Sequence, residues 1–217
     1  MVDGGEGTVD AVVDALDGQR VVVDVEDPLG RSTEATYGYI PHRRLAVIEI
    51  AEAAGIELVA VNERDVLGAS TFGVGQLISS AMNRGATDLL IGLGGSATND
   101  GGAGMLTALG ARFNGIDGHR LAPGGAALAH LHQIDPADLD PRLLYTRIRL
   151  ACDVTAPLLG SNGASTVFEP QKDASAADAA RLESALTRLV AVSCDTRSCD
   201  TDPRRRRSRR WAPVRAT

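Results

Sequence analysis

Aromatic side chains make up only 3% of the 217 residues. Aliphatic residues and alanine must therefore fill the interior, as the runs Val21-Val22-Val23 and Leu45-Ala46-Val47-Ile48 suggest. Cysteine is scarce too: Cys152, Cys194 and Cys199 are too few and too unevenly placed for a disulfide framework, and no pair has zinc-ligand spacing. Reduced thiols are expected. No run approaches the roughly eighteen apolar residues of a membrane span. The acidic start Met1-Val2-Asp3 lacks a charged-then-apolar leader pattern, so a soluble, cytoplasmic protein is expected. Lysine is almost missing, Lys172 being the single one among 22 basic residues. The net charge of −6 hides an asymmetry, because seven arginines fall in residues 203–217, where no acidic residue occurs. The other 15 basic residues face 28 acidic ones, and so acidic a body argues against nonspecific nucleic-acid binding.

With 44% hydrophobic residues, the chain can bury one sizeable core. Val9, Val12, Val13 and Leu16 fall at helical spacing after a glycine-rich start, with Thr8 placed as a cap. Val21–Val25 and Leu45–Ile50 read as strands, with a turn at Asp27-Pro28-Leu29-Gly30 and a helix after each glycine-bounded stretch. Val74, Leu77, Ile78 and Ala81 repeat a helical period that ends near Gly85. Leu89–Leu93 is a short buried strand. Asn99 or Asp100 can cap a helix through Met105, Leu106 and Leu109 that closes at Gly110. Ile148–Ala151 is a further buried strand. Ser175 and Asp178 open a helix carrying Leu182, Ala185, Leu186 and Leu189 on one face, and a boundary is expected near Val192.

Chemistry concentrates in four segments. In Gly92-Leu93-Gly94-Gly95-Ser96-Ala97-Thr98-Asn99-Asp100-Gly101-Gly102, glycines let backbone amides approach an anion at a helix start. Ser96, Thr98 and Asn99 add neutral hydrogen-bond groups there, and Asp100 can hold a metal or accept a proton. Glycine content alone fits a tight turn equally well. Asp3-Gly4-Gly5-Glu6-Gly7-Thr8 sets two carboxylates beside three glycines, or else forms a solvated, capped terminus. In Cys152-Asp153-Val154-Thr155 an aspartate follows a strand end, a common place for catalytic groups and also for a plain turn. Phe168-Glu169-Pro170-Gln171-Lys172 holds the lone lysine, a point charge suited to phosphate, or simply the exception in an arginine-preferring chain.

In order and content, these four segments, with Pro157-Leu158-Leu159-Gly160, resemble bacterial glycerate kinases over about residues 2–190. The resemblance implies an α/β fold made mostly of that family's inserted α/β domain, with its flavodoxin-like domain largely missing and truncation at both ends. It implies residues 1–192 as the family domain and 193–217 as an aberrant arginine-rich tail. It also implies transfer of the terminal phosphoryl group of ATP to D-glycerate with Mg²⁺, giving 2-phosphoglycerate. On that reading Asp100 and Asp153 take base or metal roles and Lys172 contacts phosphate. Asp3, Gly4, Gly5, Glu6, Gly94, Gly95, Ser96, Thr98 and Asn99 bind substrate or phosphate. Three positions depart from the family's pattern: Ala156 replaces an asparagine, and Glu169 and Asp173 replace glycines, adding two carboxylates beside Lys172.

Other functions fit less well. Gly92-Leu93-Gly94-Gly95-Ser96-Ala97 matches a dinucleotide fingerprint, but the acidic residue at the required distance, Asp117, falls in a turn at Asn114–Gly118. Gly94-Gly95-Ser96-Ala97-Thr98 lacks the closing glycine of a nucleophile elbow, and no P-loop glycines precede Lys172. A non-catalytic remnant of a glycerate kinase stays open. The tail containing Arg204–Arg207 reads either as a basic localisation or nucleic-acid patch, or as the product of a shifted reading frame, which is the expectation here.

Overall fold

The computed structural model describes residues 7–152 and 154–198. Strands β1 (Gln19–Glu26), β2 (Ser32–Ile40), β3 (Leu45–Glu49), β4 (Asp88–Gly92) and β7 (Arg147–Ala151) form one sheet in the order β1-β2-β3-β4-β7. The first three run antiparallel, while β3, β4 and β7 are parallel. Strands β5 (Arg112–Asn114) and β6 (Gln133–Asp135) form a separate two-stranded sheet. The helices are α1 (Thr8–Ala15), α2 (Ala51–Ala54), α3 (Phe72–Asn83), α4 (Ala103–Ala108), α5 (Ala164–Phe168) and α6 (Ala176–Ser198). The fold is α/β, as expected.

Strand alternation divides β3 between two cores. Ala46 and Ile48 pack with Val74, Leu77, Ile78 and Ala81 of α3, and Leu89 and Ile91 of β4 join them. Leu45 and Val47 turn to the opposite face and meet Val9 and Val13 of α1. A third cluster joins Ala185, Leu186 and Leu189 of α6 to Phe113, Leu128 and Leu131 beside the small sheet. Leu186 is fully buried there. Replacing it with alanine is expected to cost about 2–5 kcal/mol through a cavity that α6 cannot close, read as a lower urea midpoint.

Several local expectations need correction. A second strand, not a helix, follows Gly30, because Asp27 Oδ1 accepts from the backbone N–H groups of Leu29 and Arg31 and closes a hairpin between β1 and β2. Thr8 is the first residue of α1 and Gly7, at φ 86°, is its cap. The Val9 N–H donates to Glu49 Oε1 at 2.8 Å, so a β3 side chain satisfies the helix start. Strand β7 is the sheet edge and is exposed, with Ile148 at 45% and Leu150 at 59%, so it is not the buried strand that its apolar residues suggested. Helix α6 continues through Val192 to Ser198. Its start does follow the sequence pattern: Ser175 Oγ and the Asp178 carboxylate bond reciprocally, as in a capping box. Residues 199–217, with most of the arginine-rich tail, lie outside the described residues.

Candidate active site

The three parallel strands finish together, Glu49 in register with Gly92 and Gly92 with Ala151. Carboxyl ends of parallel strands are where open α/β sheets bind ligands. The segment 93–102 crosses this end between β4 and α4. It is fastened at its base by Leu93 N–H to Ala151 O, and on its flank by Ala97 N–H to Ala54 O and Ile56 N–H to Gly95 O. Left-handed φ values of 69° at Gly95, 58° at Gly101 and 80° at Gly102 explain the glycines. Gly101 has a second reason, since a Cβ there would lie 2.5 Å from Leu189 Cδ2.

Asp100 organises the loop from beneath. At 1% exposure it accepts from Thr71 N–H (2.9 Å), Thr71 Oγ1 (2.8 Å), Gly102 N–H (2.9 Å) and Gly104 N–H (3.0 Å). Thr71 Oγ1 in turn accepts from Met105 N–H. Both carboxylate oxygens are thus committed to donors that join α3, the loop and the start of α4. These bonds compete with the base or metal role expected of Asp100. A cation or a substrate proton would have to displace several charge-assisted hydrogen bonds in a dry setting.

On the upper side, Ser96 Oγ and Thr98 Oγ1 lie 2.6 Å apart, and Ser96 Oγ accepts from Thr98 N–H. Asn99 Nδ2 donates to Ser165 Oγ of α5 at 3.1 Å. Lys172 Nζ donates to Thr98 O (2.7 Å) and to Glu169 Oε1 (2.8 Å), bringing the lone lysine to the glycine loop. Arg64 stands nearby and pairs with Asp173. Arg64, Lys172 and Ala97 line a crevice of about 10 Å³. Asp173 keeps a left-handed backbone at φ 64°, which explains the glycine of the family's pattern there. Each added carboxylate pairs with a neighbouring cation, Glu169 with Lys172 and Asp173 with Arg64.

Burial pushes the Glu169 carboxyl above the usual glutamate range, against the opposing pull of Lys172 and of Asn99, whose amide hydrogen bond in the structure goes to Ser165 instead. Glu169 Oε2 is buried without a partner among the described residues. A carboxyl that holds its proton more tightly when folded stabilises the fold most at low pH. That contribution is lost as pH rises from about 4.5 through the raised value. From pH 4 to 7 the urea midpoint of the parent should therefore lose ground relative to that of Glu169→Gln.

The structure brings together Gly94, Gly95, Ser96, Thr98, Asn99, Asp100 and Lys172. Asp3, Gly4, Gly5, Glu6 and Asp153 lie outside the described residues. Gly7 caps α1, and the Val9 N–H ties the start of that helix to Glu49 at the end of β3. Sequence reasoning missed Glu49, Thr71, Ser165 and Arg64. Thr71, the cap of α3, was visible as a threonine just before the helical period at Val74. Among the described residues, no group of three or more His, Cys, Asp or Glu could hold a metal, and Asp3, Glu6 and Asp153 lie outside them.

A sequence model described as the glycerate kinase family matches residues 1–205. The chain belongs to the glycerate kinase family. It is 47% identical over 192 residues to a protein named glycerate kinase from Halalkalibacterium halodurans and, over the same length, to one named glycerate 2-kinase from Escherichia coli (strain K12). Each alignment covers 88% of this chain and 50% of the relative. A crystal structure from Salmonella typhimurium LT2 assigned to glycerate kinase 2 superposes with a TM-score of 0.86 at 49% identity, over 88% of this chain and 51% of that one. The chain thus spans about half the length of the family members it matches. Among the described residues no helix is long and apolar enough to cross a membrane.

Proposed function

We propose that this chain carries the phosphate-handling part of a glycerate kinase. The reaction is transfer of the terminal phosphoryl group of ATP to a hydroxyl of D-glycerate, giving 2-phosphoglycerate, in the cytoplasm. The observation that carries the reading is the meeting of Lys172 with the glycine loop in a chain 47% identical to a glycerate 2-kinase. Phosphoryl transfer asks mainly for positioning and for stabilisation of charge on the transferred oxygens. Residues 94–99 supply the anion cradle, and Lys172 contacts phosphate by exchanging Thr98 O or Glu169 Oε1 for a phosphate oxygen. Asp100 positions the cradle. Asp153 takes the base or metal role, and Asp3 and Glu6 bind substrate or phosphate.

A lobe that binds without turning over is the second reading, favoured by the exposed Ile148 and Leu150 on β7, where an enzyme with a closed cleft would bury apolar surface. ATP- and glycerate-dependent formation of ADP and phosphoglycerate, measured on this chain beside one extended at both ends to the length of its relatives, tests both. Product from the extended chain supports the kinase. Product from neither removes the proposal, and glycerate binding without product by both favours the second reading.

A further inference from the structure

Beside the Asp100 network lies a cavity of about 440 Å³, which shares Gly104 with it. Its apolar lining comes from Pro28 and Leu29 of the hairpin tip and from Phe113, Leu121 and Leu128. A three-carbon hydroxy acid would fill a fraction of this volume and satisfy none of that surface. Four charged groups that bear on the argument also line it. Two are committed, Asp27 to Arg31 and Arg112 to Asp138 and Asp135. The side chains of Glu26 and Arg120 have no hydrogen-bond or ion-pair partner among the described residues. Arg112 Nε is buried without an acceptor.

We propose that this cavity binds a small organic acid with an apolar body and a hydrogen-bond donor next to its carboxylate, the class of aromatic and branched hydroxy and amino acids. The carboxylate meets Arg120, the donor meets Glu26, and the hydrocarbon part replaces water against Phe113, Leu121 and Leu128. The site is separate from the glycine loop and does not depend on phosphoryl transfer. Its wall touches the Asp100 network at Gly104, whose N–H donates to Asp100.

Calorimetric titration without nucleotide tests it, with phenyllactate as probe, 3-phenylpropionate lacking the donor, and D-glycerate lacking the apolar body. Phenyllactate should bind saturably and more tightly than either. Arg120→Gln, at an exposed position that leaves the core untouched, should weaken it about tenfold, and Glu26→Gln should narrow its advantage over phenylpropionate. Urea midpoints of both variants check that the fold persists. Absence of saturable phenyllactate binding, affinity in Arg120→Gln within about threefold of the parent, or tighter binding of D-glycerate would each overturn the assignment.

Discussion

Asp100→Ala is expected to lower the free energy of unfolding by about 3–5 kcal/mol. It would strand the N–H groups of Thr71, Gly102 and Gly104, which now donate to one buried carboxylate. The N-terminus of α4 would lose its anion as well. The more telling variant is Asp100→Asn, nearly isosteric but with one acceptor oxygen replaced by a donor. If Asp100 positions the loop, stability and any turnover of the extended chain fall together, and the urea midpoint drops well below that of the parent. A midpoint at the parent value with turnover abolished would instead give Asp100 a direct part in the chemistry.

Lys172→Met should be nearly as damaging. It leaves Glu169, at 1% exposure, without its counter-charge, and breaking a buried pair from one side typically costs about 3–5 kcal/mol. Glu169 can escape part of this by keeping its proton, so the loss should grow as pH rises above the ordinary glutamate range. Combining Lys172→Met with Glu169→Gln should recover most of the stability, since the uncompensated charge is then gone. It should not recover affinity for phosphate-bearing ligands, if Lys172 is the contact proposed. Urea titration and nucleotide binding on the two single variants and the double variant separate these roles. Full recovery of binding in the double variant would exclude Lys172 from the site.

Much of the fold was legible because it is local. The period at Val74, Leu77, Ile78 and Ala81 is that of α3, the Ser175–Asp178 pair opens α6, and Gly110 at φ 105° closes the turn after α4. Strand β2 was not legible. Its residues carry tyrosine, threonine and glycine in no strict alternation, and only pairing with both β1 and β3 makes Tyr37 and Ile40 fully buried. Strand β7 misled in the opposite direction, since apolar residues predict a buried strand whether or not another layer covers them.

By itself, the sequence determined the family, the order of the chemical segments and the glycine positions, because motif spacing and backbone conformation are properties of neighbours along the chain. Tertiary structure alone decided which groups the charged residues meet. Asp100 meets Thr71 across 29 positions, Val9 meets Glu49 across 40, and Lys172 meets Thr98 across 74. Whether a carboxylate is a base, a ligand or a strut depends on how many donors already surround it and how much water it has lost. Those quantities exist only once distant segments have packed. The loop could therefore be named from its residues in order, but the fastening of Asp100 beneath it and the cavity alongside could not.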